Sequence, residues 1–332
     1  LRSTRTESDI KEKWGLGQSP KVSICCAVYN HDPYLKDAIE GFLMQKTNFA
    51  FEIILRDDAS TDQSVKIIQD YENKYPSLIK PILYEVNQYA IGNRPSMDWF
   101  KLSNAKYLAY CEGDDYWIDP NKLQKQVDIL ENDDSLVGVF TNYTIHNVNG
   151  KVVKAKARNH PSEFRYSQIG ILERGVPQTC TVVYRNLSQI LDKYTKFGAV
   201  VNGDQVIAAL MTEYGDVGYV KDVTAVRRIG SGSFSTVSRV HQREQMVKTF
   251  DRLKSYYSYN PKLVKAVTNR LDSIYAELVV SSIFNTNFGF NYTWNAFKTI
   301  KHKPISTVAK VVFMRSLSHL NRSLTRITRM IK

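Results

Sequence analysis

Apolar positions in the first 150 residues alternate between two rhythms. Lys21–Tyr29 (KVSICCAVY) is a short apolar, β-branched run bounded by polar residues, which predicts a buried strand. Tyr34–Gln45 then places Leu35, Ile39, Phe42 and Leu43 on one helical face. The rhythm repeats. Strands are predicted at Phe51–Leu55, Ile82–Val86, Tyr107–Cys111 and Leu136–Ile145, and helices at Ser60–Tyr75, Pro95–Asn104 and Asn121–Glu131. Asn149-Gly150 is a hairpin-turn signal after the last of these strands. Strands alternating with helices predict an α/β fold, with a mostly parallel central sheet flanked by helices.

Beyond Gly150 the alternation weakens. Strands are predicted at Thr179–Tyr184 and Tyr219–Val226, a helix at Asp204–Tyr214 and a flexible loop at Gly230–Ser235. From Val240 the pattern is helical to the end, broken at Asn260-Pro261.

The chain has 332 residues, with 45 Lys+Arg against 33 Asp+Glu. The distribution of charge changes what its size implies. Lys298–Lys332 holds nine bases and no acids, which leaves the other residues at a net charge of +3. A near-neutral body with a basic tail argues against a nucleic-acid partner. The four cysteines (Cys25, Cys26, Cys111 and Cys180) show no metal spacing and are expected to be buried, reduced thiols of a cytosolic protein. Leu1–Gly17 lacks the apolar core of a signal peptide, and the missing initiator Met reads as numbering that begins inside a longer chain. Leu278–Phe297 is uncharged but interrupted by Ser, Thr and Asn, so no spanning segment is expected.

In parallel sheets, ligands bind beyond the carboxyl ends of the strands. Each predicted strand here ends in a polar cluster: Tyr29-Asn30-His31, Arg56-Asp57-Asp58, Asn87, and Glu112-Gly113-Asp114-Asp115. Three acids in four residues repel one another unless a cation or a donor-rich ligand is present, and hard divalent ions take such oxygen ligands. A solvated, helix-capping turn is the alternative for this cluster. Asp58 or Ser60 is also read as a cap for the next helix. His31 reads as a surface turn residue.

Taken together, the layout resembles family 2 of the inverting glycosyltransferases, of the bacterial cell-surface polysaccharide type. The resemblance rests on Val22-Ser23-Ile24 through Ala27-Val28-Tyr29-Asn30, on Glu52–Asp62 (EIILRDDASTD), and on Glu112-Gly113-Asp114-Asp115 in the place of the D-x-D element. It runs from about Lys21 to about Ser235. It implies a GT-A fold over 21–238, with a nucleotide-sugar half (21–150) and an acceptor half (151–238). An N-terminal extension (1–20) and a helical C-terminal region (239–332) flank it. It further implies that Tyr29, Asn30, Asp57 and Asp58 hold the base and ribose of a UDP-sugar, with Asn87, Asn93 and Glu112 as further donor contacts. Asp114 and Asp115 hold Mn2+ or Mg2+. Asp204, in Val201–Gln205, is the general base at a helix start, where the helix dipole is expected to lower its pKa, with an ordinary first-turn acid as the alternative; Glu213 and Asp216 are more distant rivals. Tyr116 and Trp117 are expected near sugar and acceptor, with core packing as the alternative, and the loop beginning Arg227-Arg228 over the diphosphate. Three positions depart from the family pattern: Glu112 for Asp, Ala59 for Gly, and Ala27 for Pro.

Two other readings compete. A sugar nucleotidyltransferase needs a Gly-rich loop where Asn30-His31-Asp32-Pro33 stands, and a non-catalytic binding module needs neither a metal nor an acid at 204. The acceptor implied by the resemblance is a glycan or a lipid-linked sugar, and the sequence leaves an oligomer open.

Phe313, Leu317, Leu320, Leu324, Ile327 and Ile331 recur at helical spacing, with Arg315, Arg322, Arg326 and Arg329 off that stripe. A basic amphipathic helix suits an anionic membrane surface, where each base contributes about 1 kcal/mol, or alternatively the protein body or a second subunit. A chain ending before Lys298 is therefore expected to keep its donor chemistry and to lose sedimentation with anionic liposomes. Equal sedimentation of the shortened chain refutes the membrane assignment.

Overall fold

The computed structural model describes residues 5–15, 17–93, 99–155, 165–198, 200–232 and 237–283. The basic helix expected at 313–331 lies outside these residues, as do Pro95 and Ser233–Ser235. The chain separates into two compact units. The first takes the residues up to Ile171 and those between Val176 and Thr236; the second takes Leu172–Gly175 and the residues from Val237 on.

The first unit is built on a ten-stranded sheet. After a short helix α1 (Glu7–Lys11), β1 (Val22–Val28) is succeeded by α2 (Leu35–Leu43), β2 (Phe51–Asp57), α3 (Ser64–Lys74), β3 (Ile79–Leu83), α4 (Trp99–Leu102) and β4 (Tyr107–Tyr110). These four strands lie in the order β3-β2-β1-β4 and run parallel. Both faces of β1 and β2 are covered, which is why they read as continuous apolar runs. The register pairs Val28 with Asp57 and Cys25 with Tyr110, so the polar residues after each strand emerge along one edge.

Next come β5 (Tyr116–Trp117), α5 (Lys122–Asn132), β6 (Leu136–Asn147), β7 (Val152–Lys154), β8 (Arg165–Tyr166), α6 (Gln168–Arg174), β9 (Val182–Arg185), α7 (Gln189–Phe197), α8 (Gly203–Met211) and β10 (Asp216–Ile229). The sheet continues β4-β9-β6-β10-β5. β9 runs against β4 and β6, and β5 against β10, while β6 and β10 are parallel to each other. β6 and β7 form the hairpin announced by Asn149-Gly150, with Gly150 at φ 76°.

Several boundaries differ from the sequence reading. β3 lies three residues earlier than expected, because Ile79–Leu83 is the segment that pairs with β2, while Val86 is left exposed. α3 begins at Ser64, because Ser60 and Asp58 are engaged in the preceding loop and cap nothing. Thr179–Thr181 is a 3-10 turn before β9. The short strands β5, β7 and β8 and the helices α6 and α7 lie in segments where no element was predicted.

Packing decides the role of the aromatic residue just after the acidic loop. Trp117 is fully buried, edge-on to Phe42 at 4.8 Å, and its indole N–H donates to the Cys180 carbonyl (2.8 Å). It is a core residue, the packing alternative of the sequence reading and not the substrate-side one. α2 approaches so closely that a Cβ on Gly41 would lie 2.9 Å from the Trp117 main chain. All four cysteines are free and buried.

In the second unit, α9 (Arg239–Tyr256) and α10 (Pro261–Ile283) pack together, and Phe250, Leu253, Val267 and Ile274 on them are buried. The Ser238 side chain caps α9 by accepting the His241 N–H (3.2 Å), and Arg243 pairs with Glu277 at 2.7 Å. The break falls at Asn260-Pro261, as expected. No helix among the described residues is long and apolar enough to cross a membrane.

Beneath the acidic loop lies Lys122, fully buried, with Nζ 4.3 Å from the Trp117 ring and donating to Gln126 Oε1 (2.7 Å). Burial pushes its pKa down to about 7 from 10.5. Below pH 7 the folded chain holds this charge out of water. Between about pH 7 and 10.5 the folded chain sheds the proton while the unfolded chain keeps it, so the residue's contribution to stability climbs with pH. Urea unfolding of Lys122→Met is expected to show a flatter rise across that range than the parent. Identical pH slopes contradict this account.

Candidate functional site

The acidic loop leaves the end of β4. The Gly113 N–H donates to the Ala27 carbonyl (2.9 Å) and the Asp115 N–H to the Glu112 carbonyl (3.1 Å), which folds the loop back on the end of β1. Gly113 has no room for a side chain: a Cβ would lie 2.9 Å from His31 Nδ1, 3.2 Å from Leu35 and 3.3 Å from Val28. His31 is buried at 9% exposure, which corrects its reading as a surface turn residue; β1, α2 and the acidic loop close around it.

Carboxylate oxygens of Glu112, Asp114 and Asp115 converge within 4.8 Å of one another. Burial, reinforced by the Asp114 charge, pushes Asp115 up to about 7, while the Arg228 N–H, Arg227 and the Cys180 thiol pull it back. Burial also drives Glu112 well above its ordinary value, with Asp114, Asp115 and Asp204 adding to the effect. Asp115 Oδ1 accepts the Arg228 N–H (2.8 Å) and Asp114 Oδ2 accepts the Ser231 hydroxyl (2.8 Å). Among the described residues the Glu112 carboxylate accepts no hydrogen bond. A carboxylate offers about four acceptor sites, so ligating capacity remains. An all-oxygen set of clustered, desolvated acids fits a hard divalent cation.

The expected nucleotide-side residues gather next to this loop. Tyr29 stands 39% exposed past the end of β1. Asn30 comes next with φ 53°; its N–H donates to Ser60 Oγ (2.9 Å) and its Oδ1 accepts the Thr61 N–H (2.8 Å). Asp57 is fully buried, and its two oxygens accept the Ser60 N–H (2.8 Å) and hydroxyl (2.5 Å). Asp58 accepts the main-chain N–H groups of Gln88 (2.7 Å) and Tyr89 (3.2 Å), while its own carbonyl accepts Asn87 Nδ2 (3.0 Å). Asn93 Nδ2 donates to Gln88 Oε1 (2.8 Å). Asn30, Asp57, Asp58, Asn87 and Asn93 thus build the frame of two loops, and Tyr29 stands open at their edge.

Asp204 lies in the first turn of α8, with Oδ2 accepting from Gln205 Nε2 (3.0 Å). The sequence reading expected the helix N-terminus to lower its pKa. The value is instead raised: burial outweighs the Gln205 hydrogen bonds and the Arg227 charge. The side chain is reached by solvent yet crowded by protein, as suits a group lining a cleft. Its charge adds to the upward push on Glu112, so the start of α8 lies within electrostatic reach of the acidic loop. The rivals lie elsewhere. Glu213 pairs with Lys193, and Asp216 starts β10, at the opposite sheet edge.

Two adjacent arginines at the end of β10 part company, because successive strand residues face opposite ways. Arg228 is 8% exposed. It donates to the Asp114 carbonyl (2.8 Å), pairs with Asp37, and lies 5.0 Å from the Tyr34 ring and 4.4 Å from that of Tyr116. Arg227, half-buried, lends its positive charge to Glu112, Asp115 and Asp204 and holds their pKa values down. The sequence grouped both into one loop over the ligand; strand periodicity, had the strand been extended past Val226, would have separated them.

Residues 23–191, just over half of the chain, match the family model described as glycosyl transferase family 2. An uncharacterized protein of Mycobacterium tuberculosis is 45% identical over 111 residues, which are 33% of this chain and 31% of that one. The chain thus spans about a third of the length of that relative. Among solved structures, S. aureus TarS 1-349 in complex with UDP-GlcNAc is similar, with a TM-score of 0.55 and 20% identity over 83% of this chain and 79% of that one. So is the mannosyltransferase PcManGT from Pyrobaculum calidifontis in complex with GDP-Man and Mn2+, with a TM-score of 0.59 and 13% identity over 95% and 84%. These likenesses establish the GT-A fold of the first unit.

Ala59 occupies the left-handed region at φ 61°, between the two structural acids and the Ser60 hydroxyl. A side chain there costs about 1–2 kcal/mol, part of which glycine returns as unfolded-state entropy. Ala59→Gly is expected to raise unfolding stability by up to about 1 kcal/mol, read from denaturant midpoints. A lowered midpoint contradicts the strain.

Proposed function

The chain belongs to glycosyl transferase family 2, and on that premise we propose that it moves a sugar from a nucleotide-diphosphate sugar to a hydroxyl of a glycan or lipid-linked acceptor. The observation that carries the reading is the convergence of Glu112, Asp114 and Asp115, with Asp204 at the start of α8 near enough for its charge to raise Glu112. A base on one side and a polyanion-handling cluster on the other is what a single displacement requires. The acceptor oxygen bonds to the anomeric carbon from the face opposite the diphosphate, the bond from that carbon to the phosphate oxygen breaks, and the configuration inverts. The acceptor proton passes to Asp204, whose raised pKa makes it a stronger base than an ordinary carboxylate.

Asp114 and Asp115, with Glu112 beside them, would hold Mn2+ or Mg2+. When bound, such an ion offsets the charge of the donor's diphosphate. Tyr29 is the open surface for the base. The uridine reading rests on the Asp57-Asp58 element, whose carboxylates shape the loops around that surface. The charge distribution supports work at the cytoplasmic face of a membrane rather than on nucleic acid.

Mn2+-dependent hydrolysis of a UDP-sugar is the expected activity of the isolated chain. Asp204→Asn is expected to lower it at least 100-fold while UDP binding, followed by calorimetry, is kept. Asp115→Ala is expected to abolish the metal dependence. Turnover in the parent is expected to fall as pH drops through the Asp204 pKa, which is raised from the ordinary aspartate value. Full activity in Asp204→Asn removes this acid from the mechanism.

A further inference from the structure

We propose that the β6–β7 hairpin is a membrane-contacting element that dips its tip into the headgroup region of an anionic bilayer. This surface is separate from the basic tail at 298–332. It rests on the family reading only for what it brings to the site.

Among the described residues β7 pairs with β6 alone. Successive strand residues face opposite ways, so a strand laid on a core buries every second side chain. β7 does not: Val152 is 53% exposed and Val153 is 56% exposed. Both faces of this ribbon stand clear of the body. Val148 in the turn is exposed too, and so is Ile229 at the end of β10. The register sets Ile229 beside Asn147, and a Cβ on Gly230 would lie 3.7 Å from Val148 Cγ1. The apolar side chains thus gather where β6 and β10 end.

The charge of the hairpin selects the partner. From Ser135 to Ala155 the chain carries Lys151 and Lys154 and no acid, and both lysines are exposed. A protein partner or a second copy covers one face of a strand, or pairs with its edge, and leaves the other face wet. A bilayer surface surrounds a tip and takes both valines at once, while the lysine stems let the amines reach lipid phosphates. The turn is also built to leave water. Asn147 Oδ1 accepts the N–H groups of Asn149 (3.1 Å) and Lys151 (2.9 Å), and the Asn147 carbonyl accepts that of Gly150 (2.9 Å). Donors already satisfied within the turn cost little to desolvate.

Ser231, two residues past Ile229, holds the Asp114 carboxylate (2.8 Å). A seated tip therefore brings the acidic loop close to the membrane, where the proposed lipid-linked acceptor presents its sugar.

The test uses the full chain with Val153→Cys, labelled with an environment-sensitive dye; the four native cysteines are buried. Vesicles of phosphatidylcholine, with and without phosphatidylglycerol, are the probe. A blue shift with the anionic vesicles, and quenching by brominated lipid, are expected. Val152→Ser with Val153→Ser is expected to weaken vesicle binding about 10-fold. Lys151→Gln is expected to weaken it for the anionic vesicles only. Both variants are expected to keep the parent melting temperature and the parent hydrolysis of a soluble UDP-sugar. Insertion of the tip by a chain that hydrolyses no UDP-sugar keeps the proposal and overturns the catalytic reading. An unshifted dye on a chain that still sediments with vesicles overturns the proposal, because the tail then binds alone. So does the same vesicle affinity in the serine variant, or no vesicle binding by the parent. A shift that needs no lipid and grows with protein concentration overturns it in favour of a second copy.

Discussion

Carboxylates that converge in a poorly hydrated place repel each other, and something must hold them there. In this protein the end of β10 does so. The Arg228 N–H bonds Asp115, its guanidinium bonds the Asp114 carbonyl, and Ser231 bonds the Asp114 side chain. A residue far along the chain thereby fixes the acidic loop from one side, while Gly113 seats it on β1 from the other. The remaining charge imbalance is what makes the place receptive to cations and to the anions they accompany.

Support for the loop comes from an uneven core. Trp117 fills the space beneath it, and Lys122 lies against that indole with its amine on Gln126, whose own amide bonds the Val139 and Thr181 carbonyls. A buried lysine is costly. Here it belongs to a chain of polar contacts joining α5, β6 and the turn before β9. In the sheet order, β9 and β6 stand between the strand that leads to the acids and the strand that ends in the arginines.

Much of this was legible in the sequence, and the reasons are physical. Strands buried on both faces are written as unbroken apolar runs, so β1, β2, β4 and β6 were visible, and the polar clusters after them marked the site edge. Anything decided by packing across the sheet could not be read. His31 and Trp117 are buried by neighbours distant in sequence. The helix dipole at Asp204 was a local rule, overruled by the crowding around it. β3 slid because pairing with β2, not apolar content, chose its residues. Asp57 and Asp58 advertise themselves as ligand contacts, yet their oxygens are engaged in loop hydrogen bonds. A sequence displays a carboxylate without displaying who has already claimed it.

The way Asp58 secures its loop separates frame from face. It grips Gln88 and Tyr89 by their main-chain N–H groups, which every residue but proline possesses, and leaves Tyr89 and Ile91 more than half exposed. The anchoring is therefore indifferent to which side chains the loop displays. Such a segment behaves as an exchangeable cartridge. Its exposed residues are open to replacement, by drift or by design, while the acid that mounts it stays put.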